Sequence, residues 1–372
     1  GRSEYGRDEK VMVEFVSANP TGPMHMGNAR GGALGDCLAA VLDKAGYNAW
    51  REFYVNDAGN QIEKFGCSLE ARYLQIFKGD EIEFPEDGYQ GEDIKDLAKE
   101  YADLNGDSLV NVSAEERKKA LVDFALPKNI SKMQADMEKY KIFYDKWFFE
   151  SELHKSGAVK AVVDLLTEKG LTYEKEGAVW YKNKEVLTQK LLKEGKSQKY
   201  IDNLELKDDV LIRQNGNPTY FTADIAYHKN KFDRGFTTLI DVWGADHHGH
   251  VMRMKGAMDA IGYDGDKLNV VLMQLVKLVK DGELVKMSKR TGKAIQLGDL
   301  LDEVPVDSAR FLFNTKEANT QMDFDLDLAV SQDNQNPVYY VQYAHARICS
   351  IFKSLAKEGI SPRECTDAEL AL

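Results

Sequence analysis

The sequence predicts an α/β protein organised around a doubly wound parallel sheet. Three observations carry that expectation. The chain opens as strand, glycine-bearing loop, helix and strand over residues 11–55. Strand–helix alternation returns over residues 237–279, and a charged stretch of different texture separates the two halves. A βαβ opening implies parallel strands joined by a right-handed crossover.

VMVEFV at 11–16 reads as a buried strand interrupted by one acid, Glu14. The turn-rich loop SANPTGPMHMGN follows. Leu34, Cys37, Leu38, Val41, Leu42 and Ala45 then recur at helical spacing, and Gly46 stands where a helix stops. Trp50–Val55 is the next strand. Residues 92–170 are charged and mostly helical in pattern. Residues 171–221 read as hairpins with Asn-Gly turns. Thr237–Trp243 is a strand, Val251–Ile261 a helix closed by Gly262, and Leu268–Val279 a further strand. After Asn336-Pro337, an N-cap and first-turn pair, Val338, Val341, Ile348, Ile351, Phe352 and Leu355 form the apolar face of a helix. The expected organisation is a nucleotide-binding half at 1–91, a helical then hairpin insertion at 92–210, a second half at 211–336, and a helical region from 337 to 372.

Composition narrows the class. The 372 residues are 43% hydrophobic and 30% charged, with 29 Gly and 8 Pro, which excludes a disordered or collagen-like chain. No apolar run is long enough to span a bilayer. Four scattered cysteines fit reduced thiols and a cytoplasmic location. The net charge of -12 argues against a broadly basic nucleic-acid surface without excluding a local one. The chain starts without Met, and the Thr366–Glu369 capping box announces a helix with three residues after it. Both ends read as those of a piece of a longer protein.

Two segments carry chemistry. His25-Met26-Gly27-Asn28 lies where the first strand hands over to the first helix. Ligands of open parallel sheets bind there, and a helix N-terminus offers N–H groups to phosphate. Gly27 leaves the backbone open to a flat ring. Alone, the segment reads more readily as a polar turn with an incidental histidine. Lys286-Met287-Ser288-Lys289-Arg290, followed by Thr291-Gly292-Lys293, is rich in groups that bind polyphosphate, although a lone basic run is usually a solvated loop. Glu14 is either a buried pocket carboxylate or an edge residue facing water. Tyr220 and Asp224 lie one helical turn apart, so both can point at one ligand, unless Asp224 is an N-cap. Two carboxylates and a phenol around one cavity suit a guanidinium with its five N–H donors.

Taken together, the His-x-Gly-x and Lys-Met-Ser-Lys-Arg segments resemble the two signature sequences of class I aminoacyl-tRNA synthetases. VEFVSANPTGPMHMGNAR, FYVNDAGNQI, TYFTADIAYH, WGADHHGH and NPVYYVQYAHARI look like the arginyl-tRNA synthetase family over nearly the whole chain. The resemblance implies activation of L-arginine by ATP, with Mg²⁺ borne by the nucleotide, and transfer to the terminal 2′-hydroxyl of tRNA(Arg) by a monomer. It implies that Glu14, Tyr220 and Asp224 hold the guanidinium, and that Ser17, Asn19 and His247 face the backbone end of arginine. His25 would meet ATP phosphate, Gly27 the adenine, and Gly244 with Asp246 the ribose. Asn28, Met287 and Ser288 complete the ATP contacts, and Lys286 and Lys289 neutralise the leaving pyrophosphate. The region from about 337 would begin a helical anticodon-binding domain. One position departs from the family pattern: Asn28 stands where a second histidine is usual, and asparagine cannot carry positive charge.

Other readings are weaker. Asp246-His247-His248-Gly249-His250 resembles a metal cluster, but neither His-Glu-x-x-His nor clustered Cys supports catalytic zinc. Gly31-Gly32-x-x-Gly35 is not a dinucleotide fingerprint and instead suits close helix-to-sheet packing. A non-catalytic arginine or adenylate binder would need no Lys286 and Lys289 clamp. A synthetase for another amino acid would not need the Glu14, Tyr220 and Asp224 set.

Overall fold

The computed structural model describes residues 2–285, 295–363, 365–366 and 369. The first strand, β1 (Lys10–Glu14), leads through a loop to helix α1 (Gly27–Lys44) and back to β2 (Asn48–Val55), which pairs parallel with β1. This is the expected βαβ unit, and Gly46 turns the chain out of α1 at φ 94°. Helices α2 (Asn60–Lys78), α3 (Glu92–Asn105) and α4 (Ala114–Lys139) then pack around their own core of Phe65, Leu69, Tyr73, Ile94 and Leu121. The basic residues of α4 are engaged within the protein. Arg117 is buried against Glu70 and the carbonyls of Leu109 and Val112, and Lys118, Lys119 and Lys128 each pair with an acid.

The next strand, β3 (Lys146–Phe149), pairs parallel with β2. These four residues fall within the expected insertion, yet they form an edge of the central sheet. Their signal is short and lies inside a charged, helical region. Helices α5 (Glu150–Lys155) and α6 (Ala158–Glu168) follow. A three-stranded antiparallel sheet then comprises β4 (Thr172–Lys175), β5 (Ala178–Tyr181) and, after α7 (Asn183–Lys193) and α8 (Gln198–Asn203), β6 (Asp209–Ile212). The first hairpin turns at Glu176-Gly177 rather than at Asn-Gly. Asn215-Gly216 closes the tight loop after β6, with Gly216 at φ 80°.

Helix α9 (Tyr220–Asp233) leads into β7 (Thr238–Gly244), and α10 (His248–Ile261) leads into β8 (Leu268–Met273). Gly262 closes α10 at φ 102°, as expected. The central sheet runs β3-β2-β1-β7-β8, all parallel. Successive residues of β1 serve opposite faces: Val13 joins the core beneath α1, whereas Met12 joins the core beneath α6, α9 and α10.

The apolar run 268–279 is two strands rather than one. At Gln274 the main-chain N–H donates to Ala318 O (2.8 Å) and the carbonyl accepts from Arg30 Nη1 (3.0 Å), so the ladder stops. The buried Arg30 also binds the carbonyls of Glu317 and Thr320. The chain resumes as β9 (Val276–Lys280) in a second small sheet with β10 (Glu283–Val285) and β11 (Met322–Asp325). Helices α11 (Leu297–Glu303) and α12 (Val306–Phe313) lie against α1, while α13 (Leu326–Val330) packs on this sheet. The last long helix, α14 (Val338–Lys357), starts where Asn336 Oδ1 accepts from Val338 N–H. Val338 is buried, but Val341, Ile348, Ile351 and Phe352 on the expected apolar face are about half exposed.

Glycine packing on α1 matches the sequence reading. A Cβ on Gly35 would come within 2.1 Å of Phe15 Cγ, so only glycine lets the helix approach the β1 segment there. No helix among the described residues is long and apolar enough to cross a membrane.

Candidate active site

Strand order reverses between β1 and β7: the chain leaves β1 toward β2 on one side and returns as β7 on the other. Such a switch point opens a crevice at the carboxyl ends of the strands. A cavity of roughly 540 Å³ lies there, lined by the carboxyl ends of both strands and the segments after them, by Tyr54 at the end of β2 and Asn56 just beyond it, and by α9. Its wall includes Glu14, Ser17, Asn19, Asn28, Tyr220, Asp224, Gly244 and His247, all expected site residues. Tyr220 also lines a neighbouring cavity of roughly 510 Å³ that reaches Glu150 and His154.

The cavity floor rests on a buried charged seam between sheet and helix. Parallel pairing aligns Glu52, Glu14 and Asp241 at one register across β2, β1 and β7, so the three carboxylates stand side by side on one face. Helix α9 supplies their partners from one stripe. Lys231 Nζ donates to Glu14 Oε2 (2.5 Å) and Asp241 Oδ1 (2.8 Å). Arg234 and the Tyr227 hydroxyl bind Glu52. His228 Nε2 donates to Asp241 Oδ2 (2.7 Å), while its Nδ1 faces Asp224 O (2.7 Å). Both ring nitrogens thus meet oxygens, and each of the three carboxylates has a side-chain partner from α9.

Glu14 is thus neither unpaired nor at a water-facing edge: it is 7% exposed and held by Lys231. Burial pushes its carboxyl above the usual range, and the like charge of Asp241 adds to this against the pull of Lys231. Burial opposes ionisation of Asp241 as well, but Lys231 and His228 together bring it down to about 2. Burial works against the charged Lys231 too, yet the two carboxylates hold its ammonium above the ordinary lysine value.

Ser17 completes the Glu14 shell. Its hydroxyl donates to Glu14 Oε1 (2.7 Å) and accepts from Tyr54 N–H (3.1 Å). This geometry follows from a turn in which Val16 (φ 72°) and Ser17 (φ 45°) both adopt left-handed backbone, costly for a β-branched residue. The strand accordingly ends at Glu14 rather than at Val16.

Asp224 lies in the second turn of α9, so it is not the N-cap; Thr219 occupies that position. Its Oδ2 accepts from His250 Nε2 (3.0 Å). Arg253 Nη2 lies 2.8 Å from His250 Nδ1 and its Nη1 2.6 Å from Asp209 Oδ1. Arginine has no acceptor, so Nδ1 accepts and the ring is the neutral Nε2–H tautomer. The ring is flanked by Trp243 and Phe221. Asp224 thus keeps its negative charge toward the cavity, unlike the compensated Glu14.

The His25 segment forms the other side of the site. Gly27 N–H donates to His25 Nδ1 and His25 N–H donates to Asn28 Oδ1, both at 3.1 Å. With Nδ1 accepting, the exposed ring presents Nε2–H outward. Asn28 serves first as a clamp on its own turn, leaving its amide N–H₂ to donate. Main-chain bonds from Met26 to Ile295 and from Leu297 to Met24 pin this turn against the chain that follows the basic segment. Lys286, Met287, Ser288 and Lys289 lie outside the described residues. Gly244 ends β7 and lines the cavity; Asp246, on the next short turn, is exposed, its carboxylate 3.8 Å from His247 Nε2.

Residues 2–349 match the family described as tRNA synthetases class I (R), catalytic domain. The chain belongs to this family. It is 60% identical over 362 residues to an arginine–tRNA ligase of Ruminiclostridium cellulolyticum, covering 97% of this chain and 61% of that relative. It therefore spans about three-fifths of the length of the curated relatives it matches. Among solved structures, a Campylobacter jejuni protein assigned as an arginyl-tRNA synthetase aligns with TM-score 0.80 and 38% identity over 95% of this chain and 73% of that one. The Thermus thermophilus arginyl-tRNA synthetase shares the fold at TM-score 0.68 and 21% identity, with 100% and 69% of the two chains covered.

Within this class I catalytic domain, sequence reasoning missed the residues that support the site. Asp241 interrupts the strand TLIDVW just as Glu14 interrupts VMVEFV. His228 and Lys231 lie four and seven residues beyond Asp224, on one helical face. His250, read within a metal-like cluster, is committed to Asp224 and Arg253. Among the described residues, no group of three His, Cys, Asp or Glu is arranged to hold a metal.

Proposed function

We propose that this catalytic domain activates L-arginine with ATP and transfers it to the terminal adenosine of tRNA(Arg). The observation that carries the arginine reading is the charge arrangement at the cavity. The carboxylates of the seam beneath are each paired within the protein, and Asp224, oriented by His250 rather than by a lysine or arginine, turns a carboxylate toward the cavity that suits one guanidinium. Tyr220 and the free lone pairs of Glu14 supply further acceptors for its N–H groups. Ser17, Asn19 and His247 would lie toward the α-amino and carboxylate end.

In the first step an arginine carboxylate oxygen attacks the α-phosphorus in line. The new P–O bond forms as the bond to the β-phosphate bridge breaks, giving arginyl-adenylate and pyrophosphate. In the second, the 2′-hydroxyl attacks the activated carbonyl, its proton is lost, and AMP leaves. No protein nucleophile takes part. The protein contributes positioning and electrostatic stabilisation from His25 Nε2–H, the α1 N-terminus and, by family resemblance, Lys286 and Lys289. Gly27, Asn28, Gly244, Asp246, Met287 and Ser288 would hold the nucleotide, and Mg²⁺ would enter with ATP rather than in a protein cage.

The test is Asp224→Ala, with arginine and ATP binding measured separately by calorimetry. Loss of a charge-assisted contact worth about 1.5–3 kcal/mol weakens arginine binding roughly 10- to 150-fold. ATP affinity should stay within about twofold. Equal loss of both ligands would count against the assignment, and pyrophosphate release on adding arginine and ATP separates an enzyme from a binding module.

A further inference from the structure

We propose that Arg253 is a positioning residue for arginine recognition: it fixes His250 as a neutral Nε2–H imidazole, so that Asp224 is oriented without being neutralised. The proposal rests on the reading of this cavity as the arginine site. An imidazole beside a carboxylate ordinarily gains by taking a second proton and forming an ion pair. That ion pair would satisfy Asp224 and compete with an incoming guanidinium. Arg253 prevents it geometrically, because its Nη2–H occupies the Nδ1 lone pair where that proton would go. Its own charge is balanced by Asp209 on β6, so the relay Asp209–Arg253–His250–Asp224 delivers orientation and leaves one negative charge at its end.

Charged and titratable groups facing the His250 relay are Asp224 of α9, with Glu150 of α5 and Tyr54 of β2 beside it, Arg253 of α10 itself, and Asp209 of β6, with Asp208 and Tyr181 beside it; the Asp209 carboxyl is pushed up by burial against the pull of Arg253. His228 meets the relay only through the Asp224 carbonyl. The flanking rings of Phe221 and Trp243 do not titrate, and Trp243 also contacts exposed His247. Removing Arg253 frees Nδ1 for a proton from solution. Arginine must then displace that proton or its ion pair, and affinity becomes pH-dependent.

The experiment measures arginine affinity between pH 8 and 6 for the wild-type chain and for Arg253→Met/Asp209→Asn, which keeps the pair electrically balanced. The ratio of the two dissociation constants is followed, because titration of Glu14 is common to both. The expected ratio rises on acidification, approaching about tenfold per pH unit below the freed imidazole pKa. ATP affinity stays unchanged and reports intact folding. Adding His250→Gln, which retains a donor and cannot titrate, makes the ratio flat. A ratio independent of pH in the double variant overturns the proposal. Should that variant not fold, ring ¹⁵N shifts of His250 in the wild-type chain decide: a neutral Nε2–H ring from pH 8 to 6 is expected, and an imidazolium overturns it. A wild-type chain that binds no arginine at any pH sinks instead the reading of the cavity on which the proposal rests.

Discussion

Replacing Lys231 with methionine tests the seam that fixes the active-site floor. Lys231 is fully buried and is the counter-ion shared by Glu14 and Asp241, at 2.5 and 2.8 Å. Lys231→Met leaves two adjacent carboxylates buried, with His228 bonded to Asp241 alone. Breaking a buried pair from one side costs about 3–5 kcal/mol. For a chain of 372 residues, unfolding entropy scales to about 0.8 kcal/mol per degree, so the melting midpoint should fall by roughly 4–6 °C. The sign with pH is equally specific. Burial already raises the Glu14 carboxyl, and losing Lys231 raises it further, so the variant folded state gains a proton more readily than its unfolded state. Its deficit should therefore shrink as pH falls, and Glu14→Gln in the same chain should recover part of it at neutral pH. Thermal melts from pH 8 to 5 read both effects. A variant melting within 1 °C of wild type, or a deficit independent of pH, would refute the seam as a source of stability.

Two further outcomes follow from the same structure. Gly35→Ala forces a methyl against Phe15 and should cost about 1–3 kcal/mol in urea unfolding, with Phe15→Leu recovering part of the loss; an unchanged midpoint would contradict the close approach. Asp241, lowered from 3.8 to about 2, contributes about 2 kcal/mol that is present above pH 4 and lost as pH falls through 2. Asp241→Asn should remove that acid-side loss, and identical acid limbs in the two chains would count against it.

The legible parts of the molecule were those whose signal is local. The opening βαβ unit follows from apolar periodicity and Gly46, and Glu14 stood out because an acid interrupts a buried strand. The break at Gln274 was hidden because LNVVLMQLVKLV is mostly apolar and Gln274 is one of three scattered polar residues in it, with Asn269 and Lys277. The residue that pins it, Arg30, lies 244 positions away in sequence. β3 was hidden because KWFF is short and set among helical, charged sequence. In the site, Tyr220 and Asp224 were found from helical spacing. The same spacing extended to His228 and Lys231, but their partners are set by strand register, which aligns Glu52, Glu14 and Asp241 only once the sheet is assembled. The Arg253–Asp209 pair joins α10 to a strand in the intervening hairpin region, and no sequence pattern announces it.

The central claim is a class I adenylate site specific for a guanidinium side chain. Thermal stabilisation by a non-hydrolysable arginyl-adenylate analogue, beside lysyl and glutamyl counterparts, tests it most directly. At about 100 times its dissociation constant, a bound analogue stabilises by roughly 2.7 kcal/mol, or about 3 °C on the same entropy scale. Stabilisation by the arginyl compound alone is the predicted result. An equal response to all three would contradict the role of Glu14, Tyr220 and Asp224, and no response to any would contradict the site itself.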